Sequence, residues 1–206
     1  MSKNIYSLVL SDEVIQKAKA LAYQKHTSCS NLINQILAEY FDCITPEMRM
    51  QSVFSGMESL KETFRMLEQT SAHIIAMQSQ LNYKYNPTVQ YSVDLFRIPQ
   101  NGQAGKLRIQ LRTQNQALLL SLEEFFRLWI LLEQHYLHTE AEYQLSAGKL
   151  ERSLRNPAED EIEFGRMLSE YVRRFNHYLQ AWFSGTAPED LEQAFRQEAE
   201  KIQNSI

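Results

Sequence analysis

Residues 6–10 read Tyr-Ser-Leu-Val-Leu, a β-leaning run with no second strand nearby to pair with. Tyr6, Leu8 and Leu10 share one face of it, and Ile5, Ser7 and Val9 share the other. Ser11 then offers a helix cap, with Asp12 and Glu13 in the first turn, where the helix dipole favours acids. Val14, Ala18, Leu21 and Ala22 follow at helical spacing. His26-Thr27-Ser28 breaks that pattern and caps a second helix, whose apolar stripe is Leu32, Ile33, Ile36, Leu37, Tyr40 and Phe41. A lone strand leaves its backbone groups unpaired, and two short helices cannot cover both stripes. A two-fold dimer answers both demands: two copies pair their strands antiparallel and pack four helices beneath.

The order of strand, Ser-Asp-Glu-Val helix start, turn and Thr-Ser-x-Ser second helix runs through YSLVLSDEVIQKAKALAYQKHTSCSNLINQILAEYF. Over residues 3–42 it resembles the ribbon-helix-helix fold of Arc-like and methionine-type repressors. The resemblance implies a homodimer whose paired strands enter the major groove of double-stranded DNA. It implies base-facing side chains at Ile5, Ser7 and Val9. It also implies a phosphate held by the backbone at Ser28, Cys29 and Ser30, with Lys3 and Asn4 as a short arm and Lys25 within reach of a phosphate. The sequence departs from the family pattern at the strand. Ile5 and Val9 can touch only thymine methyls, where polar or basic side chains read base edges.

The formal net charge of −4 is unevenly spread. Residues 1–44 are neutral, with four Lys against four acids. Residues 45–113 hold eight basic and five acidic side chains, and residues 114–206 hold nine and sixteen. Contacts with an anion are therefore expected before residue 114.

Thr45-Pro46-Glu47 is a helix start. Met50, Phe54, Met57, Leu60, Phe64, Leu67, Ile74 and Met77 recur at steps of three and four, apart from a gap at Thr70 and Ser71. The spacing predicts one long linking helix over residues 45–81, with a seam for a second copy. Residues 88–98 then alternate, with Val89, Tyr91, Val93 and Leu95 on one face. An Asn101-Gly102 turn leads to a return strand with Leu107, Ile109 and Leu111 on one side and Lys106, Arg108, Gln110 and Arg112 on the other. Arg97 lies on the preceding strand, and Ala117 to Leu120 offers material for a third.

Over residues 88–132 this pattern resembles sheet-plus-helix single-stranded nucleic-acid binders of the PUR and Whirly type. The resemblance implies a second nucleic-acid face at Arg97, Lys106, Arg108 and Arg112, with Tyr91 or Phe96 as stacking surfaces. An ordinary solvated sheet face reads the same way.

Ser121-Leu122-Glu123-Glu124 predicts the start of a core helix reaching about residue 145. Residues 146–155 read as a hinge or a short continuation of that helix. Asn156-Pro157 starts another helix with a broad apolar stripe, Gly185 ends it, and Pro188 starts a last polar one. The expected architecture is α+β, mostly α. It comprises a ribbon-helix-helix head (1–44), the linking helix (45–81), and a small antiparallel sheet with a helical C-terminal domain (82–206).

No Gly-rich phosphate loop, Gly-x-Ser-x-Gly elbow or Cys-x-x-Cys is present, so neither an enzyme nor a cofactor is expected. His135, His138 and Glu142 have a spacing that one helical face can bring together, but they lack a further partner, and no metal is expected. Two cysteines, Cys29 and Cys43, cannot build a disulfide framework, and the start of the chain has no signal-peptide pattern. A cytoplasmic chain with no membrane partner follows. The function expected is a dimeric, sequence-specific transcriptional repressor, with higher assembly open. The alternative is a non-catalytic scaffold that dimerises through the head and binds RNA, single-stranded DNA or a protein through its C-terminal domain.

Overall fold

A computed structural model describes residues 7–25, 27–41, 43–68, 71–156, 158 and 160–203. The chain divides into two compact units, Met1–Met48 and Arg49–Ile206, here called the head and the body.

The head contains α1 (Asp12–Gln24) and α2 (Cys29–Tyr40). Ser11 stands at the first N-cap, and Ser28 caps α2 by accepting from the backbone N–H of Asn31 at 3.2 Å. The helices meet through a small core of Ala18, Ala22 and Leu32, with Cys29 packed against it. α3 (Pro46–Gly56) begins in the head, where Thr45 Oγ1 accepts from the N–H of Met48, and ends in the body.

The expected long helix over residues 45–81 is not there. α3 stops at Gly56, a 3-10 turn covers Glu58–Glu62, and two strands follow, β1 (Arg65–Met66) and β2 (Ile74–Gln80). Met50, Met57, Leu60 and Phe64 are all buried, so the apolar spacing marks real core positions, carried by three kinds of backbone. Residues 74–77, Ile-Ile-Ala-Met, are a short apolar run that suits a strand as well as a helix, and a sheet edge awaits them.

The body continues with β3 (Thr88–Gln100), β4 (Gln103–Leu111), α4 (Gln116–Tyr136), β5 (Tyr143–Ser146), β6 (Lys149–Leu154), α5 (Glu161–Phe183) and α6 (Pro188–Gln203). The six strands form one antiparallel sheet in the order β1-β2-β3-β4-β6-β5. The Asn101-Gly102 turn takes positive φ at both residues (51° and 76°), as a tight hairpin requires. Two expectations fail here. Residues 117–120 belong to α4, which Asn115 caps, so Ser121 lies inside the helix and accepts from Trp182 Nε1. Residues 146–155 are no hinge: they make the β5–β6 hairpin, turning at Ala147-Gly148.

One sheet face is apolar and covered. Met77, Val89, Tyr91, Val93, Leu107, Ile109 and Leu150 share a core with side chains of α4, α5 and α6. Trp129 of α4 sits among Phe175, Phe195 and Tyr178, with ring centroids 4.9, 5.3 and 5.6 Å away. α3 crosses α5 at backbone contact, where Gly56 meets Gly165. Among the described residues no helix is long and apolar enough to cross a membrane.

Candidate nucleic-acid interface

The head's sequence-predicted groups divide into two sets. Lys3, Asn4 and Ile5 lie outside the described residues. Residues 7–10 form no ladder among the described residues; Ser7, Leu8 and Val9 are all exposed and Leu10 is half-buried. Lys25, Ser28 and Ser30 are exposed, while the Cys29 side chain turns into the head's small core. The first N–H groups of a helix have no partner inside it. Ser28 satisfies that of Asn31.

The same two helices leave much apolar surface bare. Val14 and Leu21 of α1, and Ile36, Leu37, Tyr40 and Phe41 at the end of α2, are exposed, Tyr40 by 80%. These positions belong to the stripes that amphipathic spacing aims at a core.

The second candidate lies on the uncovered face of the sheet. Register aligns Gln78, Gln90, Gln110 and Lys149 in one row and Ala76, Ser92, Arg108 and Glu151 in the next; Asp94 stands opposite Lys106 in a third. Lys106 and Arg108 stand on this face, and Arg112 lies one residue past the end of β4. Arg97 lies in the stretch of β3 where pairing with β4 is irregular. The positive charge is partly cancelled. Arg108 Nε and Lys149 Nζ both donate to Glu151 Oε1, at 2.8 and 3.0 Å.

Hydrogen bonds from Arg108 and Lys149 hold the Glu151 carboxyl below its usual value of 4.5. A lowered folded value stabilises above the unfolded value and is lost as pH falls through the folded one. Wild type is therefore expected to exceed Glu151→Gln in unfolding free energy by about 0.5–1 kcal/mol at pH 6. Urea titrations at successive pH values should show that margin shrinking below about pH 4.5. A margin that persists undiminished in acid would refute the pairing.

The stacking surfaces expected on this face need correction. Tyr91 is fully buried on the core side, and its hydroxyl donates to Asn176 Oδ1 at 3.0 Å. Phe96 is half-buried. The exposed aromatic is instead Tyr85, in the β2–β3 loop.

A third cluster was invisible to motif reading. Glu133 of α4 is fully buried, and its carboxylate accepts from Trp129 Nε1, Tyr143 Oη and Tyr171 Oη, each at 2.9 Å, and from Arg152 Nη2 at 3.1 Å. The Arg152 guanidinium lies over the Tyr171 ring, 4.6 Å from its centroid. Burial comes first in pushing Tyr171 and Tyr143 well above their ordinary values, with the Glu133 charge next. The carboxylate is saturated with donors, so this cluster ties α4, β5, β6 and α5 together and leaves no acceptor for a substrate. The sequence signal was one acid, Glu133, on an otherwise apolar helix stripe.

Among the described residues no three of His, Cys, Asp and Glu stand together to hold a metal ion. No protein-family model, curated protein or solved structure matches the chain.

Proposed function

We propose that the chain is a homodimeric DNA-binding regulator of the repressor type, with a ribbon-helix-helix head. The observation that carries this reading is the bare apolar stripe of the head. Val14, Leu21, Ile36, Leu37, Tyr40 and Phe41 are half of a core, and a second copy supplies the other half. Residues 7–10, which pair with nothing among the described residues, then find their partner in the same second copy. In that dimer Ser7 and Val9 face the major groove, and the backbone at Ser28, Cys29 and Ser30 grips a phosphate beside Lys25. With a neutral head, counterion release adds little, so affinity rests on shape, thymine methyl contacts and the two clamps.

Ser30→Glu separates binding from folding. An acid in the first turn of α2 favours the helix by about 0.3–1 kcal/mol, yet it repels the phosphate. Duplexes selected from a random pool by the wild type should bind the variant at least tenfold more weakly, while sedimentation still reports a dimer. A folded wild-type monomer at micromolar concentration would refute the paired head. Undiminished duplex binding by Ser30→Glu would refute the clamp.

A further inference from the structure

The two ends of the body's sheet differ in charge and in furniture. At one end lie the β2–β3 loop (81–87), the β4–α4 connection (112–115) and the β5–β6 turn. Those segments contain Lys84 and Arg112 and no acid. Neither cation is in an ion pair among the described residues. Arg112 follows Leu111, which pairs with Val89, so it stands at the register position of exposed Thr88, next to the row of Gln78, Gln90 and Gln110. A shallow groove of about 490 Å³ opens beside it, lined by Gln110, Arg112, Thr113, Gln114 and Leu119.

Tyr85 completes this end. It is 89% exposed and sits at φ 67°, followed by Asn86 at φ 43°. Consecutive left-handed residues without glycine are costly and persist only where surroundings hold them. The surroundings do so here. Asn82 donates through its backbone N–H to Gln180 Oε1 at 2.7 Å and through Nδ2 to Ser184 Oγ at 3.0 Å. Tyr83 packs edge-on against Phe183, and Leu81 N–H bonds to the Pro87 carbonyl. The loop is pinned at its base, its Tyr85 ring stands out into solvent, and Lys84 Nζ lies 5.3 Å from the ring centroid. A preformed loop loses little freedom on binding.

We infer that this end of the sheet binds single-stranded nucleic acid. Tyr85 offers its ring to one unpaired base, Lys84 and Arg112 hold the flanking phosphates, and the groove takes a neighbouring base against the amides of Gln110 and Gln114. A free aromatic face stacks on a base that is not already stacked in a duplex. The acid-free rim matches a polyanion in charge. The site is independent of the head and of its proposed grip on duplex DNA.

The test measures fluorescence anisotropy of labelled 20-nucleotide mixed-sequence DNA and RNA strands, and of the matching duplex, with the full chain. Tyr85→Asn removes the ring while keeping a residue that tolerates left-handed φ. It should weaken both single strands about tenfold. Arg112→Gln should weaken them and lower the slope of log K against log salt by about 0.7. Ser30→Glu should leave single-strand binding intact, which keeps failure of this site distinct from failure of the head. Preference for the RNA or the DNA strand identifies which of the two the site favours, and either result supports it. No binding of either strand at low salt, or equal binding by Tyr85→Asn, overturns the inference. So does an Arg112→Gln loss that is as large for the duplex, since the rim is then a general polyanion surface.

Discussion

Gly165→Ala should cost the body about 3 kcal/mol of unfolding free energy, the upper end of what overpacking does. The sign is the informative part. Gly165 lies inside α5, where alanine is normally favoured over glycine by about 1 kcal/mol. Here a Cβ would stand 2.0 Å from the Val53 carbonyl oxygen and 2.9 Å from the Gly56 Cα, both backbone atoms that no rotamer can move aside. The crossing is reciprocal, because a Cβ on Gly56 would meet the Ile162 carbonyl oxygen at 2.1 Å. Ser169 Oγ donates to the carbonyls of Gly165 and Gly56 at the same place, so separating the helices also loosens a buried hydroxyl. Both tryptophans, Trp129 and Trp182, belong to the body, so urea titration followed by their fluorescence reports this unit. A variant as stable as wild type, or more so, would mean that α3 does not lie on α5.

Glu133→Ala should be at least as damaging, by about 3–5 kcal/mol, because it leaves a charged partner buried without its counter-ion. The Arg152 side chain is only 15% exposed and cannot swing into water without leaving the Tyr171 ring. Tyr143 loses its acceptor at the same time, whereas Trp129 Nε1 keeps a bond to the Tyr171 oxygen at 2.9 Å. Replacing both charges, as Glu133→Leu with Arg152→Leu, should cost less than the two single losses added together. A double-mutant cycle in urea measures this. Strict additivity, or a loss under 1 kcal/mol for Glu133→Ala, would show the cluster to be a bystander.

Much of the architecture is legible in the residues. The alternation at Val89, Tyr91, Val93 and Leu95 and at Leu107, Ile109 and Leu111 names the buried sheet face, and Asn101-Gly102 names its turn. Ser28, Gly185 and Pro188 mark helix limits where the structure has them. The misreading of residues 57–81 has a physical origin. Met57, Leu60 and Phe64 follow steps of three and four, and Ile74 to Met77 is a short apolar run that suits a helix and a buried strand alike. The choice was made by α5, which stops α3 at Gly56, and by β3, which offers β2 an edge. The candidate site was less legible. The partner of Arg108, Glu151, lies 43 residues on, in β6, and no local spacing in the sequence links the two. Tyr85 carries no motif at all. Its interest comes from exposure and backbone conformation, which only three-dimensional packing decides.

The strand order of the body has a consequence for how the molecule is made. β4 pairs on one side with β3, its immediate predecessor, and on the other with β6, which follows only after all of α4 and β5. A chain still on the ribosome therefore presents β4 as an open edge until that later hairpin emerges. The Glu133 cluster closes later still, since Tyr171 comes from α5. The head emerges long before then, its bare stripe already on display, so under the dimer proposed above two neighbouring chains would meet there while their bodies are unfinished. Assembly would precede maturation, and the slow step of biogenesis would be the closing of the sheet.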